Sequence, residues 1–361
     1  MDLRIGFDAR AAFLDPRRGF GRVTRALAEA LLRLAPGRLT LYVPHRAHVP
    51  LPWYPLAARV VPLRRPRRGA FLCDPLAWRF TLARYPVDVL HLPAWGVPPG
   101  LRLPVVATFH DATPLHFPSP PGQWSRYRLI LAIRSLTRAT LVHAVSRHAG
   151  QECREATGIP EERIRVVLHG VEERFRAAAV ARPPRHLLFV GSAEPHKNLG
   201  LLLAMLALPG AERLPALAIV GAVSEAALPA QLRAGDRITL VSACSDETLI
   251  ELYRGALALL IPSRNEGFGL PALEAMACGC PVFAARAGAL GEVCGEAGRL
   301  LSPDDPTAWR DALLALSENP SQRELLAQAG AARARELTWD RAAVAMLEVY
   351  REAAAAFGAR G

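Results

Sequence analysis

Lysine is almost missing from this chain. Of its 44 basic residues, 43 are arginine and one is lysine, Lys197. Where arginine serves nearly every cationic role, the exception marks a candidate position for a compact ammonium, where a planar fork would not fit. The alternative is chance survival on a surface. Long apolar runs are missing too: no stretch of 18 consecutive apolar residues occurs, so no membrane-spanning helix is expected. The opening MDLRIGFDAR carries acidic residues and no long apolar region, so it is not expected to act as a signal peptide. The six cysteines, at positions 73, 153, 244, 278, 280 and 294, form no paired framework, which points to a reducing, cytoplasmic setting. Cys278-Gly-Cys280 has no further ligands nearby and reads as two small buried thiols at a helix end; no metal is expected.

What is present begins with bulk. With 361 residues, about half of them apolar, the chain is long enough for two domains, each with its own core. The net charge of +11 is uneven. Residues 1–175 hold 26 arginines against 13 acidic residues, a net +13, whereas residues 176–361 hold 18 basic against 20 acidic, a net −2. A basic half suits nucleic acid, an anionic membrane surface or an acidic substrate. The basic residues are not arranged as a recognition helix, which argues against a nucleic-acid-binding protein. The run Arg64-Arg65-Pro66-Arg67-Arg68 lies near Trp53, Tyr54, Phe71, Trp78 and Phe80. It reads either as a solvated basic loop beside one core-facing helix, or as a patch for anionic lipid headgroups with aromatics at the interface.

Apolar runs and helical periodicity alternate along the chain. Expected strands are Leu3–Asp8, Leu39–Val43, Val87–Leu92, Pro104–Phe109, Ala139–Val145 and Ile164–Leu168 in the first half. In the second half they are His186–Val190, Ala216–Val220, Ile238–Val241, Ala256–Ile261 and Val282–Ala284. Helices are expected between them, among them Arg22–Leu34 after a Gly19-Phe20-Gly21 turn, Leu228–Arg233, and a final long one over Ala342–Ala355. This alternation implies two doubly wound parallel sheets, α/β in class, facing each other across a cleft. The expected division is 1–178 and 185–341, joined by a linker at Val180–Arg185, with the last helix, about 342–361, packing back on the first domain.

The stretch Pro262–Pro281, PSRNEGFGLPALEAMACGCP, organises the chemistry. A strand leads into a glycine-rich turn, Pro271 suits the first turn of a helix, and Gly279 with Pro281 stops it. The amides at that helix start suit an anion such as phosphate. Glu266 and Glu274 flank it, and carboxylates beside an anion site make sense as acceptors from neutral hydroxyls. Lys197 follows the first strand of the second half, on the same edge of a parallel sheet, where it can meet that anion. A diphosphate suits the combination of backbone donors, helix dipole and point cation. In the first half, His110-Asp111 ends a strand, the edge at which open α/β sheets bind ligands; a structural His–Asp hydrogen bond is the alternative.

The segment NEGFGLPALEAMACGCPV resembles the E-x7-E motif of the retaining glycosyltransferases of family 4, in a mannosyltransferase-like subgroup. The blocks GFGRVTRAL, DVLHLPAW, TFHDATPLHFP, AVSRHAGQEC, VVLHGVEERF and VGSAEPHKNL resemble that family's blocks in order and cover nearly the whole chain. The resemblance implies a GT-B fold of two Rossmann-like domains, with a sugar-nucleotide donor held mainly by the second. It implies that Glu274 holds ribose hydroxyls, Glu266 contacts the donor sugar, and the amides of Gly267, Phe268, Gly269 and Leu270 hold sugar hydroxyls and diphosphate. Lys197 would neutralise the diphosphate. Gly19 and Gly21 would let the first domain approach it, and His110, with Asp111, would lie on the acceptor side. Ser192 and His196 stand where many members carry arginine. Base-binding residues are expected near Val241 and Ser242. Transfer would retain anomeric configuration, with the departing phosphate assisting deprotonation of the acceptor. The chain's lack of any Asp-x-Asp agrees with metal-independent chemistry and no cofactor. The HDATPLHFP block favours GDP-mannose as donor, with UDP- or ADP-sugars as alternatives. The basic first half suggests a glycan or lipid-linked acceptor at the cytoplasmic membrane face. A same-fold sugar-nucleotide epimerase is the nearest rival.

Overall fold

A computed structural model describes residues 3–14, 19–44, 54–63, 70–94, 96–117, 124–176, 183–229, 237–242 and 244–359. The chain divides into two compact units, Met1–His169 with Trp339–Gly361, and Gly170–Thr338. The Arg64–Arg68 run and the first half of the Val180–Arg185 stretch lie outside the described residues, as does part of the helix expected at Leu228–Arg233.

The first unit is built on a seven-stranded sheet in the order β3-β2-β1-β4-β5-β6-β7. Its strands are β1 (Ile5–Asp8), β2 (Leu39–Pro44), β3 (Arg59–Leu63), β4 (Val89–Leu92), β5 (Val105–Phe109), β6 (Leu141–Ala144) and β7 (Ile164–Val166). All pairings are parallel. β1, β4, β5 and β6 are buried along their whole length, as continuous apolar runs in a sheet covered on both faces should be. The chain leaves β1 toward β2 and β3, then returns to the other side of β1 with β4. The sheet reverses winding there, and the crevice at the carboxyl ends of such neighbours is where open α/β sheets take ligands.

Two expectations change in this unit. Helix Gly19–Leu34 begins at Gly19, so Gly19-Phe20-Gly21 forms its first turn instead of a turn before it. A short helix, Ala11–Leu14, stands between β1 and that helix, where no element was expected. Trp78 is fully buried and meets Tyr42 edge-on at 4.9 Å between ring centroids, as the core-facing-helix reading of this stretch expects. It lies on helix Ala70–Arg84, whereas Phe80, two residues on, is 73% exposed.

The final helix, Trp339–Gly358, is tied to this sheet through a buried chain of hydrogen bonds. Val167 O can only accept, so His143 Nε2 donates to it at 2.9 Å. His143 Nδ1 therefore accepts from the Thr108 hydroxyl at 3.1 Å. Thr108 Oγ1 then accepts from His91 Nε2 at 2.9 Å, and Tyr350 donates its hydroxyl to His91 Nδ1 at 2.7 Å. Every proton has one place. Burial holds both imidazoles neutral: it pushes His91 well below the ordinary value and His143 down to about 4.

The second unit repeats the plan with six parallel strands in the order β10-β9-β8-β11-β12-β13. They are β8 (His186–Val190), β9 (Leu217–Val220), β10 (Ile238–Val241), β11 (Ala256–Ile261), β12 (Val282–Ala285) and β13 (Gly298–Leu301). The winding reverses between β8 and β11. Trp309, Tyr253, Phe175 and Phe189 are the largest wholly buried side chains here. No helix among the described residues is long and apolar enough to cross a membrane.

Candidate active site

The second unit's reversal point puts two loops side by side, the one after β8 carrying Lys197 and the one after β11 carrying Glu266. Asn198 joins them. It is the only non-glycine residue with positive φ (53°) among the described residues. Its amide nitrogen donates to Pro262 O at 3.1 Å and to Pro303 O at 2.8 Å. Arg264 N donates to His196 O at 2.7 Å, closing the seam.

Across that seam Lys197 Nζ donates to Glu266 Oε1 at 2.7 Å, and Ser263 Oγ donates to the same oxygen at 2.7 Å. Both partners are partly buried, with side-chain exposures of 22% and 14%. Burial raises the affinity of the Glu266 carboxyl for its proton. The Lys197 ammonium and its hydrogen bond, helped by Ser263 and the nearby His196, outweigh that and hold it below the usual carboxylate range. The backbone of Glu266 is pinned from behind. Its carbonyl accepts from Ala289 N at 2.9 Å, and Gly288 (φ +57°) lies so close that a Cβ would fall 2.6 Å from Glu266 N. Only glycine combines that φ with that approach.

Gly269, at φ 92°, starts helix Leu270–Ala277, and Pro271 sits in its first turn. Pro271 has no N–H to leave unsatisfied there, and Ala272 N donates to Gly269 O at 2.9 Å. Glu274 lies further along the helix, only 4% exposed, and its Oε2 accepts from the Tyr253 hydroxyl at 3.1 Å. The helix closes with Gly279 at φ 74° and with Cys280 N donating to Ala275 O at 2.9 Å. Cys278 and Cys280 are buried thiols that donate to Phe175 O and Pro281 O, and burial pushes the Cys278 thiol up to about 12.

Ser192 lies in the same loop as Lys197 and donates to Glu194 Oε2 at 2.8 Å. Val241 ends β10 and Ser242 follows it, two strands from β8 on the same carboxyl edge, where Val241 O accepts from Gly221 N at 2.9 Å.

In the first unit His110 follows β5. Its Nε2 donates to Pro93 O at 2.8 Å, so the neutral ring carries its lone pair on Nδ1. The Phe20 ring meets it edge-on at 4.6 Å between centroids. Burial lowers its proton affinity more than the Pro93 carbonyl and Asp111 raise it. Asp111 Oδ1 accepts from Thr113 N at 2.9 Å, shaping the next turn. Three residues with evident positioning roles, Asn198, Ser263 and Gly288, were not singled out from the sequence. Asn198 directly follows Lys197 at a helix start, and that adjacency was the available signal.

Two family models account for most of the chain. Residues 17–175 match the one described as Glycosyltransferase Family 4, and residues 171–333 the one described as Glycosyl transferases group 1. A D-inositol 3-phosphate glycosyltransferase of Thermomonospora curvata is 34% identical over 197 residues, covering 50% of this chain and 46% of that relative. Against such relatives the matched stretch spans about half their length. The O-antigen chain mannosyltransferase B of Escherichia coli is 29% identical over 316 residues, covering 82% of this chain and 80% of that one. Among solved structures, the sucrose-phosphate synthase of Thermosynechococcus elongatus superposes with a TM-score of 0.75 at 23% identity, over 98% of this chain and 99% of its own. That likeness concerns the fold, which is of the GT-B type.

Proposed function

Because the chain belongs to glycosyltransferase family 4, we propose that it moves a hexose from a nucleoside-diphosphate sugar to a glycan or lipid-linked acceptor, with retention of configuration and without a metal. The observation that carries this reading is the Lys197–Glu266 pair, 2.7 Å apart at the sheet's reversal point and next to a helix start. The ammonium that Glu266 holds is a point cation, and in this reading the diphosphate shares it. The bonded hydroxyls of a sugar beside that diphosphate would donate to Glu266. Glu274, braced by Tyr253, would accept from the ribose hydroxyls.

In the reaction the bond from the anomeric carbon to the phosphate oxygen breaks and a bond to the acceptor oxygen forms on the same face. The acceptor proton passes to the departing phosphate. In this reading Lys197 and the amides from Gly267 to Leu270 stabilise the charge that develops on that phosphate. Gly19, Gly21, His110 and Asp111 are the first unit's contribution in this reading, His110 with its Nδ1 lone pair toward hydroxyls on the acceptor side. Ser192, Val241 and Ser242 are assigned to the donor.

GDP-mannose is the favoured donor, supported by the HDATPLHFP block and by the relative named a mannosyltransferase. The basic first half supports an anionic acceptor or a membrane face. Thermal-shift screening against GDP-, UDP- and ADP-sugars tests the donor, since a ligand bound by the folded state raises its stability. A same-fold epimerase would convert a UDP-sugar with no acceptor present, which a product assay separates.

A further inference from the structure

A cleft of about 480 Å³ opens in the first unit between the end of helix Ala70–Arg84 and the loop before β5. Its walls are apolar, chiefly Leu82, Pro86, Val87, Leu101 and Leu103, and two arginines, Arg79 and Arg102, line it. Both arginines are exposed, and neither takes part in a salt bridge among the described residues. Among the described residues, no acidic one lines the cleft. Asp88, next in sequence to Val87 of the cleft wall, is already held by Arg4 at 2.7 Å.

The helix face beside the cleft is apolar where it should be polar. Leu76 is 56% exposed and Phe80 73%, one helical turn apart, with Arg79 between them. The buried side of the same helix carries Trp78, so the face bearing Leu76 and Phe80 is not the one that packs on the sheet. Phe80 is the most exposed large apolar side chain among the described residues. An exposed phenylalanine and leucine flanking unpaired arginines match the chemistry of a bilayer surface: apolar groups enter the acyl boundary while guanidiniums hold lipid phosphates. The charge agrees, since residues 1–175 carry a net +13.

We propose that this corner of the first unit docks the protein on an anionic lipid bilayer, Phe80 and Leu76 entering it and Arg79 and Arg102 binding headgroup phosphates. The cleft lies before β4 and β5, at the end of the sheet opposite His110, so docking leaves the carboxyl edge uncovered. The proposal rests on the membrane-facing reading of the basic half and is independent of which donor the second unit takes.

The test is co-sedimentation of the full chain with vesicles of phosphatidylcholine alone or containing phosphatidylglycerol, at low and high salt. The wild type is expected to sediment only with the anionic vesicles and to be released by salt. Arg79→Ala and Arg102→Ala should each weaken binding about fivefold, and Phe80→Ser roughly tenfold. Arg335→Ala, an exposed arginine of the second unit, should change nothing. Thermal unfolding of each variant reports whether it is folded, and Phe80→Ser is expected to melt as the wild type does. Three results overturn the proposal. If no vesicles bind, the membrane-facing reading fails with it. If the Arg79, Arg102 and Phe80 variants bind as the wild type does, the membrane is right and the surface wrong. If soluble decyl phosphate binds while vesicles do not, the cleft takes a free amphiphile instead.

Discussion

Lys197 and Glu266, 69 positions apart, meet at 2.7 Å, so the chain's only lysine is held by the carboxylate it was expected to work beside. The cation that would meet the diphosphate is positioned by the residue that would meet the sugar. Removing either one changes the site's charge as well as its contacts.

Lys197→Met is expected to abolish transfer and to cost about 2 kcal/mol of stability, because it leaves Glu266 partly buried with an uncompensated charge. Adding Glu266→Gln should restore most of that stability and none of the activity. Urea denaturation of the two single variants and the double variant measures the coupling. Additive losses would show that the pair does not act as a unit.

Asn198 supplies the joint between the two loops. Asn198→Ala should cost about 2 kcal/mol through two lost hydrogen bonds, with further strain at its left-handed φ. Asn198→Gly should relieve the strain and still lack both bonds. If the glycine variant unfolds at wild-type urea concentration, the bonds to Pro262 and Pro303 contribute nothing.

Gly288→Ala tests the support behind Glu266. A methyl group there would meet the Glu266 backbone at 2.6 Å, so the loop must shift. Nucleotide-sugar affinity, measured by titration calorimetry, is expected to fall at least about tenfold, which a displaced hydrogen-bonding group readily accounts for. Unchanged affinity would place the ligand elsewhere.

Acid is expected to destabilise the first unit before it reaches carboxylate pH. The histidines of the buried chain titrate near 6.5 when unfolded, while in the fold burial holds His143 down to about 4 and His91 well below its ordinary value. Between these values the unfolded chain binds more protons. The stability is therefore complete above about 6.5 and declines as the pH falls toward 4, by up to about 1.4 kcal/mol per pH unit for each histidine. Urea denaturation at pH 7, 6 and 5 should show the decline, and His143→Gln should make it shallower, leaving the His91 contribution. A flat profile for the wild type contradicts the neutral network.

Much of the fold was legible because parallel strands covered on both faces are written as unbroken apolar runs; ALALLI at Ala256–Ile261 is buried at every position. The two strands that escaped notice, β3 and β13, are both edge strands. β3 alternates buried with exposed positions and contains Pro62 within an arginine- and proline-rich stretch, so it presents no run. β13 is a four-residue GRLL beginning with glycine. The candidate site was legible as residue types, since Lys197, Glu266 and Glu274 stood out by rarity and spacing. Its geometry was not, because the Lys197–Glu266 bond depends on how two loops cross at the sheet's reversal point. The chain from Tyr350 to His143 joins four elements far apart in sequence, and no local pattern marks it.

The most direct measurement is titration calorimetry of the full chain with GDP-, UDP- and ADP-sugars, repeated on Lys197→Met and Glu274→Ala. One nucleotide sugar is expected to bind the wild type, with affinity reduced at least about tenfold in each variant, the loss of a charge-assisted hydrogen bond. Failure of all three to bind the folded wild type, or binding by Lys197→Met with wild-type affinity, would contradict a donor site built on the Lys197–Glu266 pair.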